Sequence, residues 1–147
     1  MAAEKSKTRA RFTGYAVALQ QFRHTYANYP KFLQESGRID LPSGDNSELF
    51  MQTLSGRDAD DKHLSNQGNI RAMRFYSFAE SEYVTDEKTG LRQIVDAFGN
   101  PHIVIVADHD GDGFVEVPVN GKMQQVETGI AIYNLPLNPD EFVSTYP

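Results

Sequence analysis

An α+β fold, with one long N-terminal helix packed on a C-terminal antiparallel β-sheet, is what three features of this chain predict. Large apolar residues recur at spacings of three and four before Pro30. β-branched and aromatic runs fill the sequence after Gly90. The gaps between those runs are too short for the crossover helices that parallel strands need, so the strands pair antiparallel.

The helix comes first. Phe12, Tyr15, Leu19, Phe22 and Tyr26 line one side of a segment from about Ser6 to Asn28, which Pro30 stops. At 1.5 Å per residue it is about 33 Å long, more than a domain of this size usually carries. Cofactor binding would need convergent polar groups along the stripe, and the stripe has none, so it reads as core. A charged and polar start with no preceding element to pack on reads as a cut end.

Tyr29 to Asp45 is rich in turn formers and predicts a loop. Asp45-Asn46-Ser47-Glu48 resembles a capped helix start, with Leu49, Phe50 and Leu54 as its apolar face and Gly56 as a left-handed terminator. Arg57 to Asn69 holds few apolar residues and crosses the surface. Ile70, Met73, Phe75, Tyr76 and Phe78 mix the helix and strand periods and belong to the core in either case. Beyond Gly90 the strand runs are Ile94-Val95, Ile103 to Val106, Phe114 to Val119 and Met123 to Tyr133, and Asn120-Gly121 signals a hairpin between the last two. The 147 residues thus read as one domain: helix about 6–28, loop and short helix 29–69, sheet about 70–135, tail 136–147.

Composition narrows the function. Fourteen Lys and Arg against twenty Asp and Glu give a net charge of −6, and the one basic run, Lys5, Lys7, Arg9 and Arg11, is a solvated helix start, so nucleic acid is a poor partner. With no cysteine there is no disulfide, thiolate metal site or thiol nucleophile. No run approaches the ~20 apolar residues that span a bilayer. There is no Gly-x-Ser-x-Gly elbow, phosphate loop or dinucleotide fingerprint, and nothing singles out a pair of carboxylates, so no active site is read. His24, His63, His102 and His109 lack the spacing of a helical zinc site.

One segment has the residues of a cation site. Asp108, Asp110 and Asp112 stand at alternate positions before Gly113, so a turning loop can point all three carboxylates inward toward a hard cation, calcium first. Position twelve of a helix-loop-helix calcium site would be Val119, which rules that motif out; Glu116 and nearby carbonyls could complete another cage. A plain hairpin turn uses the same residues.

Ile94 to His102, followed by Asp108 to Gly113, resembles the Asp-Pro-Trp-Gly-Asn-Pro-Tyr strand and Asp-rich turn of type II secretion pseudopilins, especially the major-pseudopilin-like group within the type IV pilin superfamily. Asp96, Gly99, Asn100 and Pro101 stand in place, while Ala97, Phe98 and His102 replace the family's proline, tryptophan and tyrosine. Tyr26-Ala27-Asn28-Tyr29-Pro30 is similar to the family's junction after its long helix, and Asn69 to Phe75 to its asparagine-led apolar stretch. The likeness runs over residues 5–117 in the family's order.

The resemblance implies a pilin-like fold and a non-enzymatic subunit of the type II secretion pseudopilus. An apolar helix half preceding Ala2 would sit in the inner membrane, with this chain on its periplasmic face. Implied partners are other pseudopilin subunits and proteins of the secretion apparatus, with the membrane met only through the absent helix half. Major pseudopilins bind calcium through a C-terminal loop, so Asp108, Asp110 and Asp112 are the candidates for that metal. The alternative reading is a calcium-binding or adhesive module of an exported or type IV pilus-related protein, and a carboxylate hydrolase ranks last.

Overall fold

The computed structural model describes residues 2–146. Helix α1 covers Ala2–Tyr26, beginning four residues before the expected Ser6 and ending two before Asn28. Ala27 stops it by taking a left-handed φ of 69°. Phe12, Tyr15, Leu19 and Phe22 are buried as their spacing predicts, and Ala16 and Ala18 fill the space between them. Tyr15 and Phe22 meet an aromatic loop, with ring centroids 5.0 Å from Tyr76 and 5.3 Å from Phe75. Gly14 permits that approach, since a Cβ there would lie 3.0 Å from the Tyr76 ring.

The segment expected as loop from Tyr29 to Asp45 contains a helical turn, α2 at Lys31–Gln34, and a strand, β1 at Arg38–Asp40. One buried apolar residue in each, Leu33 and Ile39, secures them. Too few apolar positions exist to set up a period, so pairing with a distant strand decides the conformation. Helix α3 spans Asn46–Ser55, and Gly56 closes it at φ 65°. Its start differs from expectation: the Asp45 side chain makes no cap, while Ser47 donates to the Leu41 carbonyl at 2.9 Å and accepts from the Ile94 N–H at 3.0 Å. Phe50, Met51 and Leu54 form the buried face, with Leu49 half-exposed at its margin.

Residues 57–79 form no helix or extended strand. Within this surface segment Asn69 is fully buried: it donates to the carbonyls of Thr53 and Met73 and accepts from the Tyr26 hydroxyl at 2.7 Å and the Met73 N–H at 3.0 Å. One amide therefore ties α1, α3 and the aromatic loop together. The apolar stretch after it is not all core, because Ile70 is 76% exposed and Met73 37%. Phe75, Tyr76 and Phe78 alone pack inward, through ring contacts that need no regular backbone.

The strands make three small antiparallel sheets in place of the single sheet expected; β1 joins one of them from residue 38, and the next strand begins at 83, not near 70. Strands β2 (Tyr83–Thr85) and β3 (Arg92–Ile94) pair, as do β5 (Phe114–Val119) and β6 (Lys122–Glu127). Strands β4 (Ile103–Ala107) and β7 (Ile130–Asn134) form the third sheet with β1, in the order β1-β4-β7. The run from Met123 to Tyr133 is thus two strands, broken at Thr128-Gly129 where the chain moves from one sheet to another. Asn120 and Gly121, at φ 51° and 79°, make the left-handed pair that a two-residue hairpin requires.

Both faces of the central sheet are covered, which is why β4 and β7 are buried at every position. Ile103, Ile105, Ile130 and Ile132 join the core under α1, while Val104, Val106, Ala131 and Tyr133 pack beneath Val115 and Val117 of the hairpin. The tail closes the edge of β7: the Thr145 N–H donates to the Ile132 carbonyl at 3.0 Å, and its hydroxyl accepts from the Ile132 N–H at 3.0 Å. The order of layers is helix, sheet, hairpin. Among the described residues, no helix is long and apolar enough to cross a membrane.

Candidate functional site: two aspartate loops and the outer face of the long helix

The loop from Asp96 to Asn100 is a brace. Asp96 is 2% exposed, and its Oδ1 accepts the N–H groups of Phe98 and Asn100, both at 2.9 Å. Its Oδ2 accepts from Asn134 Nδ2 at 2.9 Å, which fastens the loop to the end of β7. Gly99, at φ 81°, supplies the reversal. Next door, the Ala97 N–H donates to Thr8 Oγ1 at 3.0 Å, so the same loop holds the first turns of α1 against the domain. Arg11 adds a long contact, 3.4 Å from its Nη1 to the Val95 carbonyl.

The loop from Asp108 to Gly113 brings the three sequence-predicted metal candidates together. One carboxylate oxygen from each of Asp108, Asp110 and Asp112 lies within 4.8 Å of the others. Gly111 and Gly113 take φ of 77° and 86°, the conformations that turn the loop back on itself. Backbone N–H groups also use these acids: Asp108 accepts from Asp112 at 3.1 Å and from Gly113 at 2.8 Å, and Asp112 accepts from Phe114 at 2.9 Å. Burial works against ionisation of Asp108, but the Gly113 N–H and its neighbours outweigh it and hold the carboxyl below its usual range. The donors are all oxygen, as a hard cation prefers, and three carboxylates supply part of the six to eight ligands calcium takes. Glu116, offered as a further ligand, lies outside the converging group and faces an outer groove.

This loop sits at the C-terminal end of α1. The Gly129 carbonyl accepts from both the Asp108 N–H at 2.9 Å and the Tyr29 hydroxyl at 3.0 Å. Asp108 and Asp110 line a cavity of about 420 Å³ together with Arg23, Asn28 and Tyr29. The four histidines join no metal-holding group among the described residues.

The feature that the aromatic pattern hid is on the opposite side of α1. Ala3, Ser6, Ala10, Thr13, Val17, Gln20 and His24 are all exposed and stand at alternating spacings of three and four. Over six turns this outward line carries no Asp, Glu, Lys or Arg; Lys7, Arg9 and Arg11 fall to its flanks. A helix that only met water would place its charges there. Val17, 44% exposed, continues into a shallow apolar cleft of about 460 Å³ with Met73 and Phe75. The signal in the sequence was an absence of charge at heptad spacing.

Two buried carboxylates serve the scaffold. Glu82 Oε1 accepts the hydroxyls of Tyr15 at 2.8 Å and Tyr76 at 2.7 Å, and its Oε2 accepts the Ala79 N–H at 2.8 Å. Glu48 forms a two-pronged pair with Arg92, at 2.9 Å to Nε and 2.5 Å to Nη2. Burial opposes the charge on Glu48, yet the hydrogen bonds from the Arg92 side chain and N–H hold its carboxyl below the usual range.

Compared with protein-family models, curated proteins and solved structures, the chain matches none of them. The functional reading therefore rests on its own residues.

Proposed function

We propose that this chain is a non-enzymatic structural subunit of a filament of the type II secretion pseudopilus kind, with a pilin-like fold. The observation that carries the reading is the two-sidedness of α1. One face is fixed in the core by Phe12, Tyr15, Leu19 and Phe22, and the opposite face is a line of mostly small side chains, with Gln20 and His24 at its end, that holds no Asp, Glu, Lys or Arg. Such a helix is built to lie between its own sheet and other helices, because small uncharged residues let a neighbour approach without burying unpaired charge. The braces at Thr8 and Asn69 support this by holding the rod rigidly at both ends of its packed length. In this reading the chain stands on the periplasmic face of the inner membrane, contacting other subunits and the secretion apparatus.

The test is to express the chain from its gene with the upstream coding sequence. That sequence should encode a charged leader, a processing site and about 20 apolar residues, and the product should enter sheared filaments. An upstream region encoding a cleavable signal peptide alone, and a product that never sediments with filaments, would remove the proposal.

The convergence of Asp108, Asp110 and Asp112 favours a second reading, a calcium-binding or adhesive module of an exported protein. Calcium binding belongs to both readings. What separates them is assembly: the module remains a single unit with calcium bound.

A further inference from the structure

We infer that the groove between β1 and the hairpin β5–β6 receives the basic start of α1 from a second copy of this chain, joining subunits head to tail. The groove encloses about 330 Å³, with Ser36, Gly37 and Arg38 on one side and Phe114, Glu116 and Met123 on the other. Its apolar surface is open to solvent, Phe114 at 42% and Met123 at 56%. Its rim is acidic: Glu116, Asp110 and Asp112 are exposed, whereas Arg38, which lines the groove with His109, is engaged with Asp40 at 2.8 Å. An occupant must therefore combine a long alkyl stem with a positive head, the chemistry of an arginine or lysine side chain.

The densest source of such side chains in this sequence is α1 itself, where Lys5, Lys7, Arg9 and Arg11 fall within seven residues. Lys7 and Arg9 are exposed, and Lys5 shares a flank with Arg9 four residues on. The two poles lie at opposite ends of the molecule. The acidic loop adjoins Asn28 and Tyr29, just past the end of α1, about 30 Å along the helix from the basic run. Complementary patches at opposite ends cannot satisfy each other within one subunit. Between subunits that point the same way, as in a filament, they make a heterologous contact, which grows as an open chain, whereas an antiparallel two-fold pair would close on itself. The apolar lining gives the stem a place to bury, and the charges set register and direction.

This inference rests on the filament reading and names one of its contacts, and its test separates the two. Sedimentation velocity of the chain at low salt, over rising concentration, is expected to show species growing beyond the dimer without a plateau, and growth is expected to vanish at high salt. Arg9→Glu and Glu116→Lys are each expected to weaken association about tenfold, and the double variant to restore it. Circular dichroism of each variant establishes that it folds. A chain that stays monomeric at every salt and concentration, a closed dimer, or a double variant no better than the singles overturns the contact. None of these results touches the filament reading, which stands or falls on incorporation of the anchored protein.

Discussion

Replacing Asp96 with alanine removes three acceptor contacts at once. The carboxylate takes the N–H groups of Phe98 and Asn100 at 2.9 Å and the side-chain amide of Asn134 at 2.9 Å, in a site only 2% exposed. Hydrogen bonds to a charged group contribute about 1.5–3 kcal/mol each. Asn134 keeps its bond to the Glu141 carbonyl, and the two loop N–H groups gain access to water once the side chain is gone, so the sum is discounted. A loss of about 3.5 kcal/mol follows. Unfolding entropy near 2.1 cal/mol/K per residue over 147 residues is about 0.3 kcal/mol/K, which puts the drop in Tm at roughly 11 °C. Calorimetry on parent and variant measures it, with Asp110→Ala as the control because that exposed side chain braces nothing beyond its own loop. A variant within about 1 kcal/mol of the parent would refute the brace.

Three further outcomes are expected. Glu48→Gln should cost about 3 kcal/mol at neutral pH, because it leaves the partly buried Arg92 without its charge partner. The folded Glu48 carboxyl sits below its unfolded value, so its contribution is present above the ordinary carboxyl range and is lost as pH falls through the folded value; urea melts down the acid range should show the parent losing its lead over the variant. In an alkaline spectrophotometric titration, Tyr15, Tyr76 and Tyr146 should stay protonated until the chain unfolds, since burial pushes all three hydroxyls far up and the charge of Glu82 adds to the first two; seven tyrosines ionising together in the folded state would contradict this. Calcium at a hundredfold excess over its dissociation constant should stabilise the parent by about 2.7 kcal/mol and leave Asp110→Ala with Asp112→Ala unmoved, and identical melts with calcium and with chelator would dismiss the cation.

The elements legible in the sequence are those whose signal is local. Phe12 to Phe22 carry a period long enough to announce α1, Gly56 marks the end of α3, and Asn120-Gly121 marks the hairpin. Strand β1 was invisible because Ile39 alone is buried within it, and its conformation comes from pairing with β4, some sixty residues away. Residues 70–78 misled in the other direction. Their hydrophobicity is real, but Asn69 pins the backbone in an irregular path that leaves Ile70 in solvent and turns the three rings inward. The unbroken apolar runs of β4 and β7 fit a sheet covered on both faces, yet the sequence did not say that a hairpin would be the second cover.

Of the candidate site, the alternate aspartates were readable because spacing and turn chemistry are local, and their convergence within 4.8 Å follows from it. The structural task of Asp96 was not, since its partner Asn134 lies 38 positions away. The outer line of α1 escaped because exposed small residues carry no signal singly. Only the buried face locates them on the side of the helix that the described residues leave exposed.

The most direct test of that face uses the absence of cysteine in the chain. Val17→Cys would be labelled with a thiol reagent in the isolated chain and in the protein carrying its upstream segment, assembled in cells, with Lys88→Cys in the exposed turn between β2 and β3 as a reference. If α1 lies between subunits, Cys at position 17 reacts as fast as the reference in the isolated chain and at least tenfold more slowly in the assembled form, a protection equivalent to ~1.4 kcal/mol. Equal rates in both forms would mean that the helix face stays open to water, and the filament reading would fall with it.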